Sequence, residues 1–385
     1  MRVRLTSHDG GGNGAALFRV LCCPDSFKGT ATAREAAEAM AVGVRDAGAE
    51  PVVAPMADGG EGTAELLADA SPSAARHDVT VADAVGRPAT AAWWNLGDGR
   101  AVLDLASASG LPAVADVKDA RAASTRGTGE LIRDCLNHGI RDLTVCLGGS
   151  ATTDGGSGIV TALGGAVLDA EGNPLPPGGG PLADAAAIDT DGLDPRLAGV
   201  RWTLLLDVTT PPRDAPAVFG PQKGASADDV NHLTGALLTW CGLTGADPDA
   251  PGFGAAGATP VGVAAIAAAA GAPAPEIQRG AAVVAGAMGI LDLLPESAPA
   301  GVGLVLTGEG SVDGQSDVGK VAGFLLDRAA GTDPATPVHL IGGRVDAQSP
   351  VVKRAAGATA LDAPFAETLP ALREAAHRAT LGHRP

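Results

Sequence analysis

Aromatic side chains are scarce in this chain of 385 residues. They make up 3% of the residues, and tyrosine is absent altogether. Because hydrophobic residues still account for 45%, the composition is that of a globular protein rather than a disordered one. The core is therefore expected to consist mainly of Ala, Val and Leu. The length allows a large core and favours two domains over one.

Basic residues are outnumbered by acidic ones. The 27 Lys and Arg stand against 44 Asp and Glu, which gives a formal net charge of −17. This balance excludes nucleic acid as a partner, because binding to a phosphate backbone relies on clustered Lys and Arg. It does not exclude a small anionic substrate, since the local potential at a site can oppose the overall sign.

Cysteine is also sparse, and uninterrupted apolar runs are missing. The five cysteines show no C-x-x-C spacing, which argues against a disulfide framework and a zinc site and fits a reducing cytoplasm. The seven histidines show no metal spacing either. Proline and Asp292 interrupt the most apolar stretches, 261–273 and 281–295, so no membrane association is expected. The polar, glycine-rich residues 1–17 are interpreted as a flexible extension rather than a secretory signal.

What the sequence does have is a repeated alternation of short apolar strands, polar loops and helices. Residues 18–23 and 51–55 read as strands. Between them, Thr32 and Glu35 have capping-box spacing, which predicts the start of an amphipathic helix. The same rhythm returns in the last third of the chain, and it indicates a parallel α/β sheet.

The middle of the chain follows a different pattern. The apolar segments 77–81, 89–94 and 101–105 follow one another too closely for helices between them, which indicates antiparallel pairing. The predicted fold class is therefore α/β with two α/β domains, a Rossmann-like open parallel sheet interrupted by an inserted mixed-sheet domain. We expect residues 18–76 and 262–385 to form the discontinuous domain, residues 77–261 the inserted one, and the active site to lie in the cleft between them.

Glycine, with 55 residues, gathers in loops that follow the predicted strands. Ligands of open α/β sheets bind outside the carboxyl ends of the strands. Glycine lets the backbone approach a ligand and offers N–H groups to anions, and acidic residues in such loops hold Mg²⁺ or accept a proton. The pattern indicates phosphate handling. The loops read PDSFKG, ADGGEG, GGSATTDGG, LDVTTP and TGEGSVDG.

Each loop also has a plainer interpretation. An Asp-Gly or Gly-Gly pair commonly forms a turn, and a short acidic side chain commonly caps a helix. Ser150 lacks the G-x-S-x-G context of a nucleophile. The aspartates that fit a cap equally well are Asp25, Asp58, Asp154, Asp207 and Asp313.

Two basic residues lie where they suit an anion. The segment from Gly314 to Lys320 resembles a Walker A motif, but Val321 stands where the motif requires Ser or Thr to hold Mg²⁺, so as a P-loop it is weak. Lys320 suits a phosphate as a point charge or is simply solvated. Arg126 precedes a predicted helix and suits a substrate carboxylate through bidentate hydrogen bonds, or it is a surface residue.

These loops, in this order, resemble the bacterial glycerate kinase family, whose members phosphorylate D-glycerate. The matching segments run from Pro24 to Lys320, and ADGGEGT, RGTGELI and FGPQKGA are highly specific as a set. The resemblance implies a two-domain α/β kinase that uses ATP and Mg²⁺. It also implies phosphoglycerate as the product, with 2-phosphoglycerate favoured over 3-phosphoglycerate.

The resemblance and the loop chemistry together give a set of candidate site residues. Catalytic roles are expected for Asp25, Asp154 and Lys28. Substrate binding is expected for Ser107, Arg126, Gly127, Thr128 and Asp207. ATP or phosphate binding is expected for Gly59, Gly60, Gly148, Gly149, Ser150, Gly308, Gly310 and Lys320, and metal binding for Asp58, Glu61 and Asp313.

The chain also departs from the family pattern. Thr153 and Thr210 stand where the family usually has Asn, Ser311 where Arg is frequent, and Asp104 where Glu is common. The segment 211–218 is shortened. These departures leave reduced activity or a different hydroxy acid open. The alternatives to a D-glycerate kinase are a kinase of a related hydroxy acid, a metal-dependent phosphate-ester hydrolase and a non-catalytic ligand-binding relative.

Overall fold

The fold is described from a computed structural model, which covers residues 18–316, 320–361, 363 and 367–385. The predicted extension 1–17 lies outside these residues. The strands are β1 Arg19–Cys22, β2 Glu50–Val53, β3 Ala75–Ala82, β4 Pro88–Gly97, β5 Arg100–Asp104, β6 Asp142–Cys146, β7 Ala166–Leu168, β8 Ala187–Asp189, β9 Arg201–Leu206, β10 Glu276–Arg279, β11 Leu304–Val312, β12 Val338–Val345 and β13 Gly357–Ala360.

Most connections between these strands contain α-helices, and short 3₁₀ turns complete them. None of the helices in the described part of the chain combines the length and the apolar character that a membrane span requires. The helices are α1 Ala33–Asp46, α2 Thr63–Asp69, α3 Ala106–Ser109, α4 Arg126–Asn137, α5 Ser157–Ala162, α6 Ala215–Phe219, α7 Ala227–Thr244, α8 Ala255–Ala269, α9 Gly280–Ala287, α10 Ile290–Leu293, α11 Val321–Ala330, α12 Pro350–Arg354 and α13 Thr368–His383.

The chain divides into two compact units. The first unit runs to Asp58 and resumes at Arg279, and the second comprises residues 59–278. The first unit contains a five-stranded sheet in the order β13-β12-β11-β1-β2, and all its pairings are parallel. Its apolar core includes Leu21, Met40 and Leu304, which are fully buried. Helix α1 begins at the predicted capping box, in which Thr32 and Glu35 bond to each other's backbone N–H.

The second unit contains a six-stranded mixed sheet in the order β10-β9-β6-β5-β4-β3. Strand β4 pairs antiparallel with β3 and β5, whereas β6 pairs parallel with β5 and β9. Trp93, Leu131 and Leu204 are fully buried in the core around this sheet. The parallel sheet interrupted by a mixed one confirms the predicted fold class.

The unit boundaries differ from the predicted ones at 76/77 and 261/262, because the elements there pack on the mixed sheet or on its helices. Helix α2 packs against β4 and β5. Asp104, at the end of β5, accepts hydrogen bonds from Gly62 N (2.8 Å) and Ala64 N (2.9 Å) and so caps α2. At the other boundary, α8 packs against α5 and α7, and β10 extends the sheet. Residues 59–76 and 262–278 therefore belong to the second unit.

Candidate active site

In the first unit, Asp25 follows the carboxyl end of β1. Its backbone N–H donates to Gly308 O (2.9 Å), which ties this loop to β11. Its Oδ1 accepts a 2.6 Å hydrogen bond from Ser26 N, which fixes the side chain. Burial and the neighbouring charges of Asp58 and Glu309 raise the pKa of Asp25 to about 8, although the Ser26 hydrogen bond opposes the rise. The sheet thus brings the predicted Asp25 and Asp58 together.

Glu309 is a member of this acidic group that the sequence analysis missed. It lies in β11, its side chain is largely buried, and its carboxylate is 3.9 Å from the ammonium of Lys320. Burial raises its pKa and the charge of Lys320 opposes the rise, while Asp58 and Asp313 add to it. The signal in the sequence was the TGEGSVDG loop, which contains this glutamate as well as the predicted Asp313.

The chemistry of these donors suits a divalent cation. In the described residues, no three His, Cys, Asp or Glu side chains are arranged to hold a metal ion by themselves. Mg²⁺ is commonly held in proteins by one or two carboxylates together with the phosphate oxygens of a substrate. Asp58 and Glu309 fit that requirement. Both supply carboxylate oxygens, and the charge of each raises the pKa of the neighbouring Asp25.

The other predicted residues of the first unit include Asp313, Gly308, Gly310 and Lys28. The Asp313 Oδ2 accepts a 3.2 Å hydrogen bond from the Ser311 hydroxyl. A Cβ at Gly308 would lie 1.7 Å from Ile341 O, so the pairing of β11 with β12 itself requires glycine there. Gly310 lies beside the backbone of Lys28, whose side chain is exposed.

In the second unit, the loop after β6 is organised around Asp154, which is completely buried. Its Oδ2 accepts hydrogen bonds from Thr125 N (2.7 Å), Thr125 Oγ1 (2.9 Å), Ser124 Oγ (3.3 Å) and Gly158 N (3.2 Å). Its Oδ1 accepts from Gly156 N (3.2 Å). Burial raises its pKa, and these hydrogen bonds oppose the rise. Both carboxylate oxygens are engaged within the chain, which joins the loop to the start of α4.

A buried cation, Lys223, contacts the same loop. It is not among the residues predicted from the sequence. The Nζ of Lys223 donates to Ser150 Oγ (2.9 Å) and to Thr152 O (2.6 Å). Burial lowers the pKa of Lys223 to about 7, against the opposing effect of Asp154. The signal was present in the FGPQKGA segment, but nothing in its spacing indicated that the lysine points inward.

Glycines let this loop approach its neighbours closely. Gly148 donates to Gly59 O (3.1 Å), and a Cβ at Gly148 would lie 2.3 Å from the Cα of Gly60. Gly149 has φ +74°, in the left-handed region that favours glycine. Further along, Gly155 donates to Gly257 O (2.9 Å). Predicted phosphate-loop residues from two parts of the sequence are therefore in contact.

The predicted substrate residues of this unit gather around the first turn of α4. Arg126 is exposed, and its Nε donates to Glu130 Oε1 (3.1 Å). The Thr128 hydroxyl is buried and lies 2.8 Å from that of Ser109. A Cβ at Gly127 would lie 1.8 Å from Ala82 O, so the packing of α4 on β3 requires this glycine.

The other predicted residues of the second unit are more dispersed. The Ser107 hydroxyl accepts a hydrogen bond from Ala92 N (2.8 Å) and thereby anchors β4. Asp207 follows β9 and is half-buried, and Glu61 is exposed beside the start of α2. The structure thus divides the predicted residues between its units, with Asp25, Lys28, Asp58, Gly308, Gly310, Asp313 and Lys320 in the first and the others in the second.

Comparison with known proteins places this arrangement in one family. Residues 20–380 match the model of the glycerate kinase family. Glycerate kinase of Bacillus subtilis strain 168 is 39% identical over 349 residues, covering 87% of each chain. Glycerate 2-kinase of Escherichia coli K12 is 39% identical over 316 residues, covering 79% of this chain and 80% of that one.

A solved structure agrees with these sequence matches. The crystal structure of a Salmonella typhimurium LT2 protein assigned as glycerate kinase 2 superposes with a TM-score of 0.75 at 31% identity, covering 95% of this chain and 98% of that one. The fold and the sequence matches define an α/β kinase. The chain belongs to the glycerate kinase family.

Proposed function

We propose that this protein transfers the γ-phosphoryl group of ATP to a hydroxyl of D-glycerate, with 2-phosphoglycerate as the product. The observation that carries the proposal is the 39% identity to a protein named glycerate kinase over 87% of the chain. Phosphoryl transfer depends mainly on positioning the reactants and stabilising negative charge.

Asp25 is the proposed acceptor of the proton from the glycerate hydroxyl. Its carboxylate is fixed by Ser26, and its loop is held to β11 through Gly308. A base held in one orientation meets the geometric requirement for general base catalysis. Asp154, the other predicted candidate, has both oxygens occupied by internal donors. Its proposed role is to hold the 148–154 loop against α4.

Asp58 and Glu309 are the proposed holders of Mg²⁺, with Asp313 nearby on the chain. When bound, the ion neutralises phosphate charge. The ammonium of Lys320, 3.9 Å from Glu309, adds a positive charge for the same purpose. Glu61 is exposed in the second unit and remains a secondary candidate.

The second unit supplies proposed contacts to anionic groups. The backbone N–H groups of Gly149 and Ser150 suit phosphate oxygens, as glycine-rich loops commonly do. Arg126 is the proposed partner of the glycerate carboxylate, because its guanidinium is exposed at a helix N-terminus. Binding the carboxylate would select glycerate over an uncharged polyol.

The experiment that tests the function is ADP release from ATP and Mg²⁺ with D-glycerate, with glycerol, or without an acceptor. We expect release with D-glycerate and at least about a hundredfold less with glycerol. Arg126→Lys should impair use of glycerate, because lysine cannot form a bidentate contact. The matched control is Arg201→Lys, since Arg201 is also exposed and bonded to a carboxylate, that of Asp142. Equal rates with D-glycerate and without an acceptor would refute the proposal.

A further inference from the structure

Lys223 is a buried cation whose position is not explained by packing. Its exposure is 2%, and it ends a short 3₁₀ turn, Pro221–Lys223. Removing an ammonium from water is costly unless the group is well bonded or paired. An apolar side chain of similar size would fill this space at lower cost. The contacts of the ammonium itself therefore indicate what the lysine does.

Both hydrogen-bond acceptors of the ammonium lie in the 148–154 loop. They are Ser150 Oγ at 2.9 Å and Thr152 O at 2.6 Å. The buried carboxylate of Asp154 favours the charged form of the lysine. Lys223 therefore fixes one side of the loop, while Asp154 fixes the other side to the start of α4.

The contact with Lys223 also determines how Ser150 can act. A hydroxyl oxygen that accepts an N–H from an ammonium keeps its own hydrogen for another acceptor. The backbone at Ser150 is held by its bridge to Gly110 and by the bond from Ala151 N to Ser109 O (2.9 Å). The Ser150 hydroxyl is consequently a donor held in place before a ligand binds, which is the form that favours an anionic oxygen.

We infer that Lys223 is a positioning residue that clamps the 148–154 loop and sets the Ser150 hydroxyl to donate to an anionic oxygen of a substrate. The inference rests on the proposed kinase function. The anionic oxygen belongs to a phosphate of ATP or to the carboxylate of glycerate, and kinetics with each substrate varied in turn distinguish these sources.

The kinetic test compares Lys223→Met, Ser150→Ala and the double variant with Lys118→Met. Methionine keeps the volume of the side chain but removes its donors. Lys118 is the matched control, because it is exposed and lies beside Gly224, next to Lys223 in the chain. For Lys223→Met we expect KM to rise at least about tenfold for one substrate and less than about threefold for the other. The kcat/KM of the double variant should lie within about twofold of that of the more impaired single variant.

Several kinetic outcomes would overturn the inference. These are an unchanged KM for both substrates, equal rises for both, or losses in the double variant that multiply. Thermal melting of every variant separates these effects from misfolding. If the wild type releases no ADP with glycerate, the proposed function fails, and the clamp is then decided by a measurement that needs no turnover.

That measurement is amide hydrogen exchange across residues 148–158. Loss of the clamp in Lys223→Met should speed exchange of these amides at least about tenfold, with Lys118→Met unchanged from wild type. Identical exchange in Lys223→Met and wild type would show that the lysine does not hold the loop.

Discussion

The Oδ2 of Asp154 accepts a 2.7 Å hydrogen bond from the backbone N–H of Thr125, and this contact joins the loop after β6 to the start of α4. Because both residues are completely buried, water cannot replace the hydrogen bond when it is lost. The contact therefore gives Asp154 a structural role, which is to hold the loop after β6 to the start of α4.

Asp154→Asn should therefore lower the free energy of unfolding, by about 2–4 kcal/mol. The amide NH₂ of asparagine would face an N–H or O–H donor where the carboxylate now accepts. Urea denaturation measures the loss, and Asp184→Asn, an exposed aspartate of the same unit, is the control. An Asp154→Asn protein with normal stability and a kcat reduced about a hundredfold would instead assign this carboxylate to the reaction.

Two glycine substitutions should shift stability in opposite directions. Gly148→Ala should be destabilising by about 2 kcal/mol or more, because its Cβ would lie 2.3 Å from the Cα of Gly60. Gly235→Ala, in the middle of α7, meets no atom within 4 Å. It should stabilise the protein by about 0.5–1 kcal/mol, since alanine restricts the unfolded chain and favours the helix. Equal effects of the two substitutions on the free energy of unfolding, measured by chemical denaturation, would contradict the close approach of Gly148 to Gly60.

His339 should make stability depend on pH in the acidic range. Burial and the neighbouring His383 lower its pKa from 6.5 to about 4, and its Nε2 lies 2.9 Å from the Thr359 hydroxyl. A histidine whose pKa is lowered by folding contributes stability that is fully present above pH 6.5 and lost as the pH falls through about 4. The contribution is up to about 3 kcal/mol.

The test is the difference in unfolding free energy between wild type and His339→Gln, measured at pH 7 and at pH 4. Other groups titrate in both proteins, so their contributions cancel in the comparison. The advantage of the wild type should shrink on acidification. A difference that stays constant across this range would show that His339 does not titrate below its ordinary pKa in the folded protein.

Removing divalent cations should abolish turnover without unfolding the protein. Asp58 and Glu309 need an ion only when phosphate charge is present, so a chelator should eliminate ADP release and leave the melting temperature unchanged. Added Mg²⁺ should restore the rate. Full activity in metal-free buffer would refute the role given to these carboxylates.

Local rules allowed much of the fold to be predicted. The Thr32–Glu35 capping box marked the start of α1, because both partners of that motif are close in the sequence. The short spacing of β3, β4 and β5 indicated antiparallel pairing because no helix fits between them. The predicted boundary at 76/77 differs from the observed one after Asp58, because the cap that Asp104 provides to α2 joins segments 40 residues apart.

The site was harder to predict for the same physical reason. Loop composition selected Asp25 and the 148–154 loop as candidates, because glycine and acidic residues are visible locally. It could not identify Lys223, whose partner Ser150 is 73 positions away in the chain. Nor could it show that Asp154 would be enclosed by donors from residues 124–125, because burial arises only when separate segments pack together.

The most direct test of the central claim is ³¹P NMR of one reaction that contains the protein, ATP, Mg²⁺ and D-glycerate. The account predicts that the γ-phosphate signal of ATP disappears while ADP and a phosphomonoester of glycerate appear in equal amounts, with the ester at the 2-position. Release of inorganic phosphate in place of the ester would identify a hydrolase. An unchanged ATP spectrum, from protein shown by thermal melting to be folded, would contradict the kinase account altogether.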